Sequence, residues 1–206
     1  AEFEEYLVEY LPEEEKKEFF KVNSIGTNNL LYGLNTTKLQ SIIFISTVAV
    51  YGKEEGELID EKFPLLGNTP YAQSKIKAEQ SIIDFGVTNN IKTVVLRLPL
   101  VTGKNPLGNL RAIIKAIKKG YYFRVGKGQA RKSVIAASDV ASLIPELFNL
   151  NGVYNLTDIH HPMIAEIDSI VAKKYNKRIK SLPTGLVRII AKIGNIFCFS
   201  VFNSSK

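Results

Sequence analysis

The sequence predicts an α/β protein in which a parallel sheet is covered by helices. Two observations carry this. Ile42-Ile43-Phe44-Ile45 and Thr93-Val94-Val95-Leu96-Arg97-Leu98 are short, apolar and rich in β-branched residues, as in strands buried on both faces. Stretches of helical length separate them, and after further helical stretches Val153-Tyr154-Asn155-Leu156-Thr157 supplies a third short strand. Strands that alternate with helices build parallel sheets.

The elements follow in order. Residues 4–20 form one or two helical segments, interrupted at Leu11-Pro12, with Glu13, Glu14 and Glu15 placed well for a helix N-terminus. Residues 22–33 form a helix, and Gly26 inside it is expected to allow close packing against a neighbour. The strand at 41–46 comes next and runs into Thr47. A charged loop then leads to a helix from Thr69 or Pro70 to Phe85, with Thr69 as N-cap and Pro70 in the first turn. The strand at 93–98 is stopped by Pro99. Residues 109–119 make a basic amphipathic helix with Leu110, Ile113, Ile114 and Ile117 on one side. Residues 121–125 and 133–136 suit short strands around a Gly126-Lys127-Gly128 turn. Residues 139–150 and 163–175 are helical, and a last helix starts near Gly185 and reaches Phe197. Arg188 and Lys192 share one face of that helix, whose apolar side suits core packing better than a membrane surface.

Composition narrows the function classes. The 206 residues are 45% hydrophobic and 23% charged, as in an ordinary soluble globular protein. One cysteine, Cys198, rules out an internal disulfide within these residues, and no apolar run is long enough to span a bilayer. The net charge is +7, acidic early and basic late. Solvated helix faces explain the basic half best. The aromatic interleaving of a single-strand nucleic-acid binder is absent there, so no nucleic-acid partner is expected. His160-His161 has no companions at metal-ligand spacing, and no metal is expected.

The chemistry concentrates between Ser41 and Lys75. Ser46-Thr47 stands where a strand meets its loop, and Tyr71-Ala72-Gln73-Ser74-Lys75 opens a helix. Tyr71 and Lys75, four apart, share a helix face. A tyrosine near its ordinary pKa of about 10 is a poor base at neutral pH, and a nearby ammonium favours the phenolate. With the Thr47 hydroxyl at the same point, the three suit moving a proton at a carbinol while a nicotinamide takes a hydride. The spacing alone is common in structural helices.

Several stretches, in order, resemble the extended short-chain dehydrogenase/reductases, in particular the NAD-dependent epimerase/dehydratase family. Val22-Asn23-Ser24-Ile25-Gly26-Thr27-Asn28-Asn29-Leu30-Leu31 resembles its N-x-x-G-T-x-N-L-L helix. Phe44-Ile45-Ser46-Thr47 resembles the strand bearing its catalytic hydroxyl, and Tyr71 to Lys75 its Y-x-x-S-K helix start. Leu96-Arg97-Leu98-Pro99-Leu100-Val101-Thr102-Gly103 resembles its L-R-x-x-x-V-x-G segment. Gly126 to Arg131 with Ser138-Asp139-Val140-Ala141, then Val153-Tyr154-Asn155-Leu156, resemble its later motifs. The resemblance implies a partial Rossmann-type parallel sheet, later strands only, with a small, mostly helical substrate-binding lobe. Residues 1–103 would be the second part of the NAD(P)-binding domain. Residues 104–206 would be mainly the lobe, with 133–158 returning to the sheet. It implies Thr47, Tyr71 and Lys75 as catalytic residues. Ser46, Tyr71, Lys75, Pro99 and Leu100 would contact NAD or NADP, and Thr47, Asn109 and Arg131 a nucleotide-diphosphate sugar.

The family's first strands and glycine-rich loop have no counterpart in these residues, since no G-x-G-x-x-G occurs. The expectation is a cytoplasmic fragment beginning after the fourth strand, in a family whose chains usually continue past a segment like the one ending at Lys206. Such a fragment would bind cofactor poorly and turn over nothing alone. Its first strand would have an unpaired edge that invites pairing with another chain, a homodimer included. The leading function is a nucleotide-sugar epimerase or 4-ketoreductase. The alternatives are a dehydratase, disfavoured by the apolar Val48-Ala49-Val50, and a catalytically silent binding or assembly module.

Overall fold

The computed structural model describes residues 13–34, 36–53, 56–106, 108–185 and 187. The expected stretch at 4–12 and the helix beyond Gly185 lie outside the described residues, apart from Val187. The chain divides into two compact units: residues 1–99 with 137–157, and residues 100–136 with 158–206.

Among the described residues the first unit opens with α1, Glu13–Phe19, which passes through a π-helical turn, Phe20–Ile25, directly into α2, Gly26–Gly33. The expected helix at 22–33 is therefore the end of a longer one. Gly26 donates its N–H to the Lys21 carbonyl, five residues back. A Cβ there would meet the same carbonyl at 3.4 Å and nothing from a neighbouring element. The glycine thus marks the π-to-α transition, and the expected close packing is absent.

Strand β1, Ser41–Thr47, is followed by a 3₁₀ turn, Val48–Tyr51, and then by the long helix α3, Pro70–Asn89. Thr69 caps α3 by accepting from the Ala72 N–H at 3.1 Å, with Pro70 in the first turn. The helix runs four residues past Phe85 and ends on Asn90 in the left-handed conformation. Strand β2 is Lys92–Leu98. The unit closes with α5, Ala137–Leu147, and β6, Gly152–Asn155. The three strands form one parallel sheet in the order β1-β2-β6. Leu31 of α2, Ile82 of α3 and Val95 of β2 make its core, with Ile42, Phe44 and Phe85 packed around them. β2 is buried along nearly its whole length, as its composition predicts, whereas β1 is only half-buried with Ile45 exposed, and β6 is half-buried, so burial on both faces holds for the central strand alone.

The second unit contains two strand pairs. β3, Leu100–Thr102, runs parallel to β5, Val134–Ala136, and β4, Phe123–Val125, runs parallel to β7, Lys180–Leu182. Helix α4, Gly108–Lys119, buries Ile113, Ala116 and Ile117 against Tyr122 and against Ala172 of α6, Ile164–Lys174. The basic side chains Arg111, Lys118 and Lys119 lie on its exposed side, as the amphipathic pattern requires. β3 and β7 go beyond the strands expected from sequence. With parallel sheets and covering helices, the chain has the α/β class that its sequence predicts.

Candidate active site

In the first unit the carboxyl end of β1 and the start of α3 bring Ser46, Thr47, Tyr71 and Lys75 together. Thr47 ends the strand in extended conformation, and its hydroxyl accepts from the Ala49 N–H at 3.2 Å. Gly52 then turns left-handed at φ 64°, where a Cβ would strike the Leu66–Gly67 backbone. This close approach returns the loop to the start of α3, where the Gln73 side-chain amide hydrogen-bonds the Gly67 carbonyl. The loop thereby places the first turn of α3 beside the end of β1.

Tyr71 is 36% exposed, so its side chain sits at the boundary between core and solvent. Phe19 packs edge-on against that ring at 5.7 Å. Burial pushes the Tyr71 phenol above its ordinary value, and the neighbouring Thr47 hydroxyl draws it partly back. The Lys75 ammonium donates to the Ile45 carbonyl at 2.9 Å and lies 4.7 Å from the centre of the Phe44 ring. Burial lowers its pKa, and the negative charge of Glu79 opposes the drop. Ser74 accepts from the Asn23 side chain at 3.0 Å and donates to the Tyr71 carbonyl at 2.7 Å. This contact ties the first helical segment to the turn that carries the phenol. Asn23 and Ser74 are both motif residues in the sequence, and the bond between them gives a physical reason for their types.

Ser46 is 4% exposed, and its hydroxyl donates to the Glu79 carboxylate. Sequence reasoning missed what lies behind it. Arg97 is directly opposite Ser46 in the β1–β2 register, so both side chains leave the same face of the sheet. Both meet Glu79, two helical turns beyond Tyr71. The Arg97 guanidinium holds Glu79 through Nη2–Oε2 at 2.7 Å and Nε at 3.2 Å from each carboxylate oxygen. Arg97 Nη1 donates to the Tyr51 phenol at 3.0 Å and to the Glu61 carbonyl at 3.2 Å. Tyr51 in turn donates to the Asn155 side chain at 2.7 Å. The usable signal was a serine and an arginine interrupting two apolar strands, with a glutamate continuing the four-residue spacing of Tyr71 and Lys75.

Pro99 follows β2 as the last residue of this segment of the first unit. Leu100, Asn109 and Arg131 belong to the second unit. Leu100 opens β3 and donates its N–H to the Ser133 carbonyl at 3.3 Å. Asn109 is the second residue of α4, and its side chain lies outside what is described. Arg131 donates to the His161 carbonyl at 2.8 Å and bridges Met163 through its backbone. Among the described residues no cluster of three or more His, Cys, Asp or Glu is arranged to hold a metal, and no helix is long and apolar enough to cross a membrane.

A polar centre at the carboxyl end of parallel strands, with a helix start beside it, is the arrangement of a Rossmann-type α/β protein. The chain matches the model of the NAD dependent epimerase/dehydratase family over residues 12–156, and it belongs to that family. It is 27% identical over 90% of its length to N-acetyl-alpha-D-glucosaminyl-diphospho-ditrans,octacis-undecaprenol 4-epimerase of Escherichia coli O157:H7, covering 56% of that protein. It is 25% identical over 88% of its length to UDP-glucose 4-epimerase of Vibrio cholerae, covering 55% of it. The chain thus spans little more than half the length of these two relatives. Among solved structures it resembles the UDP-glucose 4-epimerase of Thermus thermophilus in complex with NAD. The TM-score is 0.67 at 26% identity, covering 80% of this chain and 58% of that one.

Proposed function

We propose that this chain supplies the proton-transfer centre of an NAD(P)-dependent sugar-diphosphate epimerase or ketoreductase. The observation that carries the reading is that Thr47 at the end of β1 and Tyr71 at the start of α3 lie beside each other, with Lys75 one turn along the same helix face and bonded to the Ile45 carbonyl. Hydroxyl, phenol and ammonium are the donor set that a ribose and a sugar carbinol require, so these residues fit the nicotinamide half of the cofactor. NAD or NADP, when bound, supplies hydride acceptance and return.

The remaining work falls to the side chains. Thr47 orients the reacting sugar oxygen by hydrogen bonding. Tyr71, held protonated by burial, donates its proton to that oxygen when it carries developing negative charge. In the reverse direction Tyr71 takes the proton, and the Lys75 ammonium favours the resulting phenolate. Pro99 and Leu100 line the nicotinamide, while Ser46 contributes through its place at the strand end, its hydroxyl being committed to Glu79. Arg131 and Asn109 bind the substrate, the planar arginine fork suiting diphosphate oxygens. The turn after Thr47 is built from Val48, Ala49 and Val50 and bears no acid, which supports epimerisation or ketone reduction over dehydration.

The test uses the full-length gene product, NAD or NADP, and two substrate types. These are a UDP-hexose and a polyprenyl-diphosphate N-acetylhexosamine, the second because of the Escherichia coli relative's name. Interconversion of the 4-epimers is expected with at least one. Tyr71→Phe should lower kcat by about 10²–10⁴-fold, the usual contribution of a positioned acid–base group. Full activity in Tyr71→Phe would remove the assignment. A wild-type product that folds and binds the sugar diphosphate without turnover would instead mark a catalytically silent module.

A further inference from the structure

The buried group behind the polar centre is more elaborate than holding one helix on a sheet requires. Glu79 is 2% exposed, Arg97 4% and Ser46 4%. An ion pair this deep is often no more stabilising than well-packed apolar side chains of the same volume. Its position is the informative feature. Three consecutive residues of β1 meet three helix positions spaced four apart, two of them through hydrogen bonds. The Ile45 carbonyl accepts from Lys75 and the Ser46 hydroxyl donates to Glu79, while Thr47, the next residue, lies beside Tyr71. Arg97 anchors the last of these helix positions from β2, and Tyr51 and the Glu61 carbonyl occupy its remaining nitrogen.

We infer that Glu79 is a positioning residue for the Tyr71–Lys75 pair. Clamped by Arg97, it fixes the end of β1 through Ser46 and supplies the countercharge that Lys75 faces along α3. The inference rests on the proposed reading of that pair. The charged and titratable groups around Glu79 are Arg97 from β2, Lys75 on its own helix and, through Arg97, the Tyr51 phenol. Removing the carboxylate would leave the Arg97 cation buried and unpaired near Lys75. A second positive charge there disfavours the ammonium. Removing the Ser46 hydroxyl would free the strand end that sets Thr47, while the Arg97–Glu79 pair stays whole.

The experiment follows the Lys75 and Tyr71 titrations by NMR in this 206-residue chain, with lysine labelled at the ε-carbon and tyrosine at the ζ-carbon. The two signals are assigned by their loss in Lys75→Gln and Tyr71→Phe. In Glu79→Gln the Lys75 midpoint should fall by about one pH unit, a tenfold loss of proton affinity. In Glu79→Gln/Arg97→Gln it should return towards the wild-type value, because both charges are gone. In Ser46→Ala the Tyr71 midpoint should rise as the Thr47 hydroxyl, which favours the phenolate, moves off. A merely structural role predicts lower melting temperatures with both midpoints unmoved. An unchanged Lys75 midpoint in folded Glu79→Gln, or an unchanged Tyr71 midpoint in Ser46→Ala, overturns the inference. If Glu79→Gln fails to fold, Ser46→Ala decides alone. Neither readout needs turnover, so an active Tyr71→Phe enzyme would remove the catalytic reading without touching this result.

Discussion

A phenol that meets a buried carboxylate gives up its proton late. Tyr122, 6% exposed, donates to Asp168 at 2.9 Å, and Asp168 is fully buried against Arg124. Burial raises the Tyr122 pKa far above its ordinary value of 10.0, and the Asp168 charge adds to the rise. Below pH 10 the folded and unfolded chains both keep this proton, so it adds no pH dependence. Above pH 10 the unfolded chain loses the proton while the folded chain holds it. The folded state then binds more protons, and stability falls as pH rises. Tyr122→Phe should therefore flatten the loss of stability above pH 10, at a cost near neutrality of about 1.5–3 kcal/mol for the lost hydrogen bond to a charged group. Urea unfolding at neutral pH and at pH 10 to 11 checks both halves, and parallel curves for the two proteins would refute the linkage. At this scale much of the proposed chemistry was legible, because Thr47, Tyr71 and Lys75 stand in recognisable local patterns. The Glu79–Arg97 pair was not, because it depends on the register that sets Ser46 opposite Arg97, and register is a tertiary property.

The elements that carry strong local signals are the ones a reader of the sequence finds. Thr69-Pro70 announces the start of α3, and β-branched runs announce β1 and β2. The π-helical turn at Phe20–Ile25 has no such signature, and β3 and β7 are three residues long with partners far away in sequence. Their pairing is decided by the packing of the whole unit, which overrides so weak a local preference. The far end of α3 shows how closely helix and sheet are fitted. Gly86 is buried there, and a Cβ would press on the Thr93 side chain and lie 2.8 Å from the Ile91 carbonyl. The Ile91 N–H bonds the Gly86 carbonyl at 2.9 Å, so that turn has little room to yield. Gly86→Ala would gain about 1 kcal/mol of helix propensity. The overlap outweighs this gain, because it is with backbone as well as side chain. A net loss of about 1–2 kcal/mol is expected, measurable as a lower denaturant midpoint. A more stable variant would mean that the turn gives way.

For the molecule as a whole, the exposed edge of the first sheet is the feature with the widest consequence. Among the described residues β1 pairs with β2 alone, so the backbone groups along its other edge have no strand partner. Ile42 and Phe44 face the core shared with α2 and α3, which leaves Ile43 and Ile45 on the opposite face. Ile45 is 40% exposed. Natural sheets blunt such an edge with charge, proline or a bulge, and β1, Ser-Ile-Ile-Phe-Ile-Ser-Thr, has none of these. The net charge of +7 works against association, but it is a long-range term screened within roughly 10 Å in ordinary buffer. Edge pairing acts at contact distance and combines hydrogen bonds with apolar burial, so it should prevail at micromolar concentrations. The 206-residue chain is therefore expected to sediment faster than a monomer, in a concentration-dependent way. Ile45→Lys puts a charge at the exposed position of this edge strand and should return the chain to a monomer while leaving its circular dichroism unchanged. A wild-type chain that stays strictly monomeric over that range would show that the edge is protected by something other than a second chain.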